Sequence, residues 1–209
     1  MTTQFYTLFD KIPKLPEHLI LEAQNCVRPD NMTQTNKGNN RVPVLIDYSL
    51  PDDQAINGVT YHRYNASASI IEWVTENIHE KLIRPYLVGI QLFNHKLPGQ
   101  VITSGPHVDG PRGDYVLNYC LEPGGDNVLT QWFQQDGFEV IRHQAHQTGL
   151  YLKTFDGLTK IQEVKCPVKE WHGLEIRALH TVANLTSNRL ALSLGIPQDI
   201  LPDIINRFK

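Results

Sequence analysis

The feature that most constrains this chain is a change of period at Pro85. Before it, Ile70, Ile71, Val74, Ile78 and Leu82 recur every three to four residues, which predicts a helix from about Ser67 to Leu82 with one apolar face. After it, to about Ile196, the text breaks into short β-rich runs bounded by Gly, Pro, Asn and Asp. Candidate strands are Tyr86 to Phe93, Tyr115 to Leu121, Val128 to Phe133, Gly149 to Lys153, Gly173 to Leu179 and Arg189 to Leu194. Many short strands separated by turns point to a sandwich or barrel, of which the eight-stranded jelly roll is a common solution.

The N-terminal part adds an extended lead-in and a short helix ending near Cys26, with Pro16 near its start and Leu19, Ile20 and Ala23 at helical spacing. Residues 28–58 are rich in Asn, Asp, Pro and Thr and read as surface loop, apart from a strand-like run Val42 to Ile46. A chain of 209 residues suits one core. The expectation is a single domain: a helical and loop region over 1–84, a β core over 85–196 and a C-terminal tail over 197–209. The N-terminal helices pack on one sheet and, with the loop before Gly58, are expected to build the pocket.

Composition narrows the class. Apolar residues at 41% and charged residues at 20% are ordinary for a globular protein. A net charge of -3 offers no broad cationic surface, so nucleic acid is not an expected partner. Cys26, Cys120 and Cys166 are odd in number and unpaired in spacing, which fits reduced thiols and a cytoplasmic setting. No apolar run approaches the roughly 20 residues that span a bilayer, so no membrane association is expected.

Ser104-Gly-Pro-His107-Val-Asp109 places an imidazole and a carboxylate two residues apart. In extended chain such side chains point the same way and can reach one ion. Two imidazoles and one carboxylate on a single face suit a redox-active iron that must keep positions open. His180, at the end of a strand-like run, can supply the second imidazole if a jelly roll returns it to the first pair. Taken singly, His-x-Asp also marks a hydrogen-bonded turn, and a lone histidine is often one satisfied by a carbonyl. Arg189 opens the strand that returns after His180. A buried guanidinium needs a carboxylate, and its planar fork matches one with two parallel hydrogen bonds.

His107-x-Asp109, His180-x-Val182-x-Asn184, and Arg189 nine residues after His180 together resemble the iron(II)/2-oxoglutarate-dependent oxygenase superfamily. The resemblance spans about Val88 to Gly195, including Gly89-Ile-Gln-Leu-Phe and Leu117-Asn-Tyr-Cys-Leu-Glu-Pro-Gly-Gly, and is to small hydroxylase-like members. It implies a double-stranded β-helix in a mainly β, α+β protein. His107, Asp109 and His180 would hold Fe(II), and Arg189 would grip 2-oxoglutarate. With O2, the implied reaction is a dioxygenase hydroxylation of a C–H bond, releasing succinate and CO2, on a small molecule or an amino-acid or peptide side chain. Many members carry Arg-x-Ser, whereas here the serine is Ser193, four residues after Arg189, so its contact with the co-substrate is left open.

Asn118 and Gln91 are either inward groups for 2-oxoglutarate or solvent-facing polar residues. Arg112, Asp114 and Tyr115 follow the metal pair and are candidate substrate contacts, or turn residues in the case of Arg112 and Asp114. Trp132 lines the pocket or fills the core. His143 and His146, three apart, read as a solvated loop, His95 and His172 as surface positions, and Glu72, Glu76 and Glu80 as a water-facing helix edge. Two other classes remain: a cupin-like metalloenzyme that does not use 2-oxoglutarate, and a non-catalytic jelly-roll binding module.

Overall fold

The computed structural model describes residues 5–27, 58–109, 115–134, 149–151 and 154–209. The strand-like run Val42 to Ile46, together with Arg112, Asp114, His143 and His146, lies outside them.

Eleven strands form two antiparallel sheets among the described residues. In chain order they are β1 (Tyr6–Leu8), β2 (Val59–Asn65), β3 (Val88–His95), β4 (His107–Asp109), β5 (Tyr115–Glu122), β6 (Leu129–Gln134), β7 (Gly149–Tyr151), β8 (Thr159–Val164), β9 (Trp171–Glu175), β10 (His180–Ala183) and β11 (Arg189–Ile196). The larger sheet runs β1-β9-β5-β11-β3-β2 and the smaller β7-β4-β10-β6-β8. From β3 to β6, and again from β9 to β11, the chain crosses from one sheet to the other at each strand. That winding is a jelly roll, one of the solutions open to the strand pattern and the double-stranded β-helix that the resemblance implies.

Helices α1 (Glu17–Cys26), α2 (Ala68–Asn77) and α3 (Leu201–Phe208) complete the fold. Their apolar faces close one side of the larger sheet. Ile20, Val74, Ile204 and Phe208 share a core with Leu117, Tyr119, Trp171, Leu192 and Leu194. Strand β11 is therefore buried along its whole length. Its even-numbered leucines meet the helices, and its odd-numbered side chains, Arg189 and Ser193 among them, enter the space between the sheets. Each leucine fully withdrawn from water contributes about 1.5–3 kcal/mol, so β11 anchors both layers. Two smaller clusters fill the space between the sheets: Val59, Phe93, Ile102, Val128, Val182 and Leu185 in one, and Val116, Trp132, Leu174 and Ile176 in the other.

Several elements depart from expectation. Helix α2 begins where predicted, with the Ser67 hydroxyl accepting from the Ile70 N–H, but ends at Asn77. His79 turns extended and its ring accepts from the Lys81 N–H, opening a 3₁₀ turn at Glu80–Ile83. The apolar spacing survived because that turn still drives Leu82 into the core. The expected tail is the amphipathic helix α3, with a proline at its start, Asp203 in the first turn and Arg207 in the last. Strand β9 starts at Trp171 and stops at Glu175, before the run to Leu179 is complete. The unpredicted β2 is buried on both faces and shows no alternation; β8 is an exposed, mostly polar edge strand. The helices pack on the outer side of the larger sheet, away from the space between the sheets, so they back the barrel and do not build the pocket.

Candidate metal centre

Strand register joins what the sequence separates. His180 lies directly opposite His107 in the β10–β4 pair, and Asp109 lies two residues along β4, on the same face. The segment ahead of β4 is locked to β10 by a buried polar cluster. The Ser104 N–H donates to the Val182 carbonyl at 2.9 Å, and the Ser104 hydroxyl accepts from the Val182 N–H at 3.0 Å. Ser104 and Thr181 hydroxyls meet at 2.9 Å. After β10 the chain turns at Asn184, whose φ of 62° an asparagine tolerates, and whose side-chain amide donates to the Asn127 carbonyl at 3.1 Å.

Each histidine ring is oriented by a carbonyl two residues earlier. His107 Nδ1 donates to the Gly105 carbonyl and His180 Nδ1 to the Ala178 carbonyl, both at 2.9 Å. A carbonyl only accepts, so Nδ1 carries the hydrogen and Nε2 of the neutral ring presents its lone pair. Both Nε2 atoms turn toward Asp109: His107 is 3.8 Å from Oδ1 and His180 is 3.8 Å from Oδ2. The three ligand atoms lie within 4.8 Å of one another. Neighbouring ligands of one metal stand about 3 Å apart when each bond is near 2.1 Å, so a small inward rotation closes the set. His107 and His180 are buried while the Asp109 side chain is 32% exposed, which leaves the anionic side open to an entering ion.

Burial, and then the neighbouring His107, push His180 down to about 4, against the opposing pull of Asp109 and the Ala178 carbonyl. The ring is therefore neutral at ordinary pH, the form that binds metal. Donor chemistry and geometry both fit a divalent ion with open positions.

Across the cavity stands Arg189, 5% exposed. Its guanidinium carbon sits 5.7 Å from the centre of the Phe93 ring, and the buried Cys120 thiol stands near its charge. No carboxylate pairs with it among the described residues. Gln91 and Asn118 line the same cavity as Arg189, His107, Asp109 and His180. It holds about 400 Å³ of space between atoms, its open mouth included. Ser193 is fully buried on the same face of β11, opposite both Asn118 and Gly89.

Two candidate substrate residues stand elsewhere. Tyr115 belongs to the core beneath the helices, where its ring covers Gly173. Trp132 is fully buried against Phe5, its indole N–H donating to the Glu175 carbonyl at 3.0 Å, and it is a core residue. Tyr61, Phe93, Thr130 and Ile176 line the cavity instead. Tyr61 was missed because β2 was missed. His172, expected on the surface, is completely buried, since β1 and β5 flank its strand and close over it; His95 is half-buried and bonded to the Gln100 carbonyl at 3.1 Å.

No family model and no curated protein matches the chain in sequence. Among solved structures it is similar to a prolyl hydroxylase from Trichoplax adhaerens in complex with a hypoxia inducible factor peptide fragment. Identity is 13%, with 92% of this chain and 83% of that one covered, at a TM-score of 0.45. A Pseudomonas putida prolyl-4-hydroxylase is 15% identical over 91% of each chain, at a TM-score of 0.42. AviO1 from Streptomyces viridochromogenes Tue57 is 14% identical over 93% of this chain and 90% of its own, at 0.41. At that distance the geometry of the site, not the likeness, carries the chemistry.

Proposed function

We propose that the chain is an iron(II)- and 2-oxoglutarate-dependent dioxygenase that hydroxylates a C–H bond of a small molecule or an amino-acid side chain, releasing succinate and CO2. The observation that supports it is a two-histidine, one-carboxylate set facing a buried arginine that has no carboxylate partner among the described residues. His107, Asp109 and His180 would hold the metal, with the Gly105 and Ala178 carbonyls fixing the rings. When bound, iron(II) with 2-oxoglutarate and dioxygen supplies the oxidation: two electrons come from decarboxylation and two from the C–H bond, and one oxygen atom enters each product.

The protein's part is positioning. Arg189 would take the distal carboxylate of 2-oxoglutarate in a bidentate grip, with Asn118, Gln91 and Ser193 as further polar groups along its length. Val116, Leu174, Ile176 and Val182 give the cavity apolar walls that would exclude water from the reacting centre. Arg189 also favours this reading over a metalloenzyme without the co-substrate, because no carboxylate among the described residues offsets its buried charge. An anaerobic titration of iron(II)-loaded protein with 2-oxoglutarate tests the assignment through the visible band that chelation produces, followed by a succinate-release screen over metabolites, amino acids and peptides. Absence of both signals would remove it.

A further inference from the structure

The inward face of the larger sheet carries a row of buried polar side chains. Register sets His172 on β9 beside Asn118 on β5, and Asn118 beside Ser193 on β11. Each has a buried polar atom with no hydrogen-bond partner: His172 Nε2, Asn118 Oδ1 and Ser193 Oγ. Arg189 stands four residues from Ser193 on the same face of β11. Three orphaned atoms in one row are unusual, because each desolvated group without a partner costs about 1–3 kcal/mol.

His172 is the informative member. Its Nδ1 donates to the Glu170 carbonyl at 3.2 Å, the same clamp from residue i−2 that holds His107 and His180. The neutral ring therefore presents a bare Nε2 lone pair inside the barrel. At the metal centre such lone pairs converge with a carboxylate; here none does so among the described residues. The titratable and charged groups around His172 are Tyr6 on β1, its ring centre 6.0 Å away, Cys120 on β5, Arg189 on β11 and Cys166 ahead of β9, with the Glu170 side chain exposed to solvent. Burial and then the charge of Arg189 hold His172 down to about 3, so the ring is neutral in the ligand-free protein.

A carboxylate arriving on Arg189 reverses that balance. It offsets the guanidinium charge, and it is an acceptor that a bare lone pair repels and an N–H attracts. Resting on the co-substrate reading above, we propose that His172 is a further 2-oxoglutarate-binding residue: its Nε2 takes up one proton from solvent as the distal carboxylate docks on Arg189, and donates a hydrogen bond toward it.

Calorimetric titration of the zinc(II)-loaded full-length chain with 2-oxoglutarate, in buffers of different protonation enthalpy, counts the protons bound. Uptake should approach one per site at pH 6 and decline toward pH 8, with affinity weakening by up to about tenfold per pH unit in between. The variant H172Q should still bind 2-oxoglutarate, without proton uptake and with affinity flat in pH. Should H172Q not fold, nitrogen-15 imidazole shifts of the wild-type chain report the same event, Nε2 moving from the unprotonated to the protonated range on adding 2-oxoglutarate. Wild-type binding without proton uptake, an unmoved Nε2 shift, or equal uptake in H172Q overturns the role of His172 and leaves the co-substrate reading standing. No saturable binding of 2-oxoglutarate, or binding indifferent to R189M, overturns the co-substrate reading and this inference with it.

Discussion

Replacing Arg189 with methionine should move stability and ligand binding in opposite directions. Arg189 is 5% exposed and has no carboxylate partner among the described residues; the Phe93 ring lies 5.7 Å from its guanidinium carbon, and the Cys120 thiol is near. A buried, uncompensated charge costs several kcal/mol, and the aromatic contact returns only about 0.5–2 kcal/mol. Methionine keeps an unbranched, flexible apolar stem and ends short of the guanidinium, so it removes the charge at a modest packing loss. The ligand-free variant should therefore match the wild type or exceed it by about 1–4 kcal/mol, raising the unfolding midpoint by roughly 2–4 °C for each kcal/mol. Binding should suffer. Two charge-assisted hydrogen bonds contribute about 1.5–3 kcal/mol each, so their loss weakens 2-oxoglutarate by at least about a hundredfold. Thermal unfolding with and without 2-oxoglutarate reads both effects: saturating ligand at about 100 times Kd stabilises the wild type by about 2.7 kcal/mol and leaves the variant unmoved. A variant that loses several kcal/mol yet still responds to 2-oxoglutarate would show Arg189 to be a structural residue and refute the reasoning.

Three further outcomes follow from the same geometry. Asp109→Ala removes the anionic member of the ligand set from a partly exposed position, so iron binding by equilibrium dialysis and iron-dependent succinate release should both vanish while the unfolding midpoint changes little. His172 and His180 are both held below the ordinary histidine value, so below about pH 6.5 the unfolded chain binds protons that the folded chain refuses. The metal-free protein should thus lose stability as pH falls from 6.5 toward about 4 for His180 and about 3 for His172, at up to about 1.4 kcal/mol per pH unit for each group, and H172Q should flatten the slope of midpoint against pH. Gly173→Ala would drive a methyl into the Tyr115 hydroxyl and the adjoining ring carbons; a rigid ring in a closed core cannot withdraw, and denaturant unfolding should show a loss of about 1–3 kcal/mol.

The change of period at Pro85 announced the β core, and the order His107, Asp109, His180, Arg189 pointed to residues that the fold gathers around one cavity, because metal ligation and carboxylate binding restrict residue type severely. Helix α3 was expected only as a tail, although Ile200, Ile204 and Phe208 stand at four-residue spacing there. Strand β2 was hidden, since a strand covered on both faces carries no alternation, and Tyr61 was hidden with it. Burial misled most at His172 and Tyr115: alternation along a strand says which side chains share a face, but not which face a helix covers and which a second sheet encloses.

Residue chemistry alone determined that this chain carries a possible metal set and a guanidinium suited to a diacid, because those side chains have few other uses in that order. Only the packed sheets decided that His107 and His180 are register partners, that Arg189 has no carboxylate of its own among the described residues, and that His172 turns inward beside Asn118. Those facts depend on strand pairing between segments far apart in the chain, and on layers that bury some faces and open others, neither of which local patterning encodes.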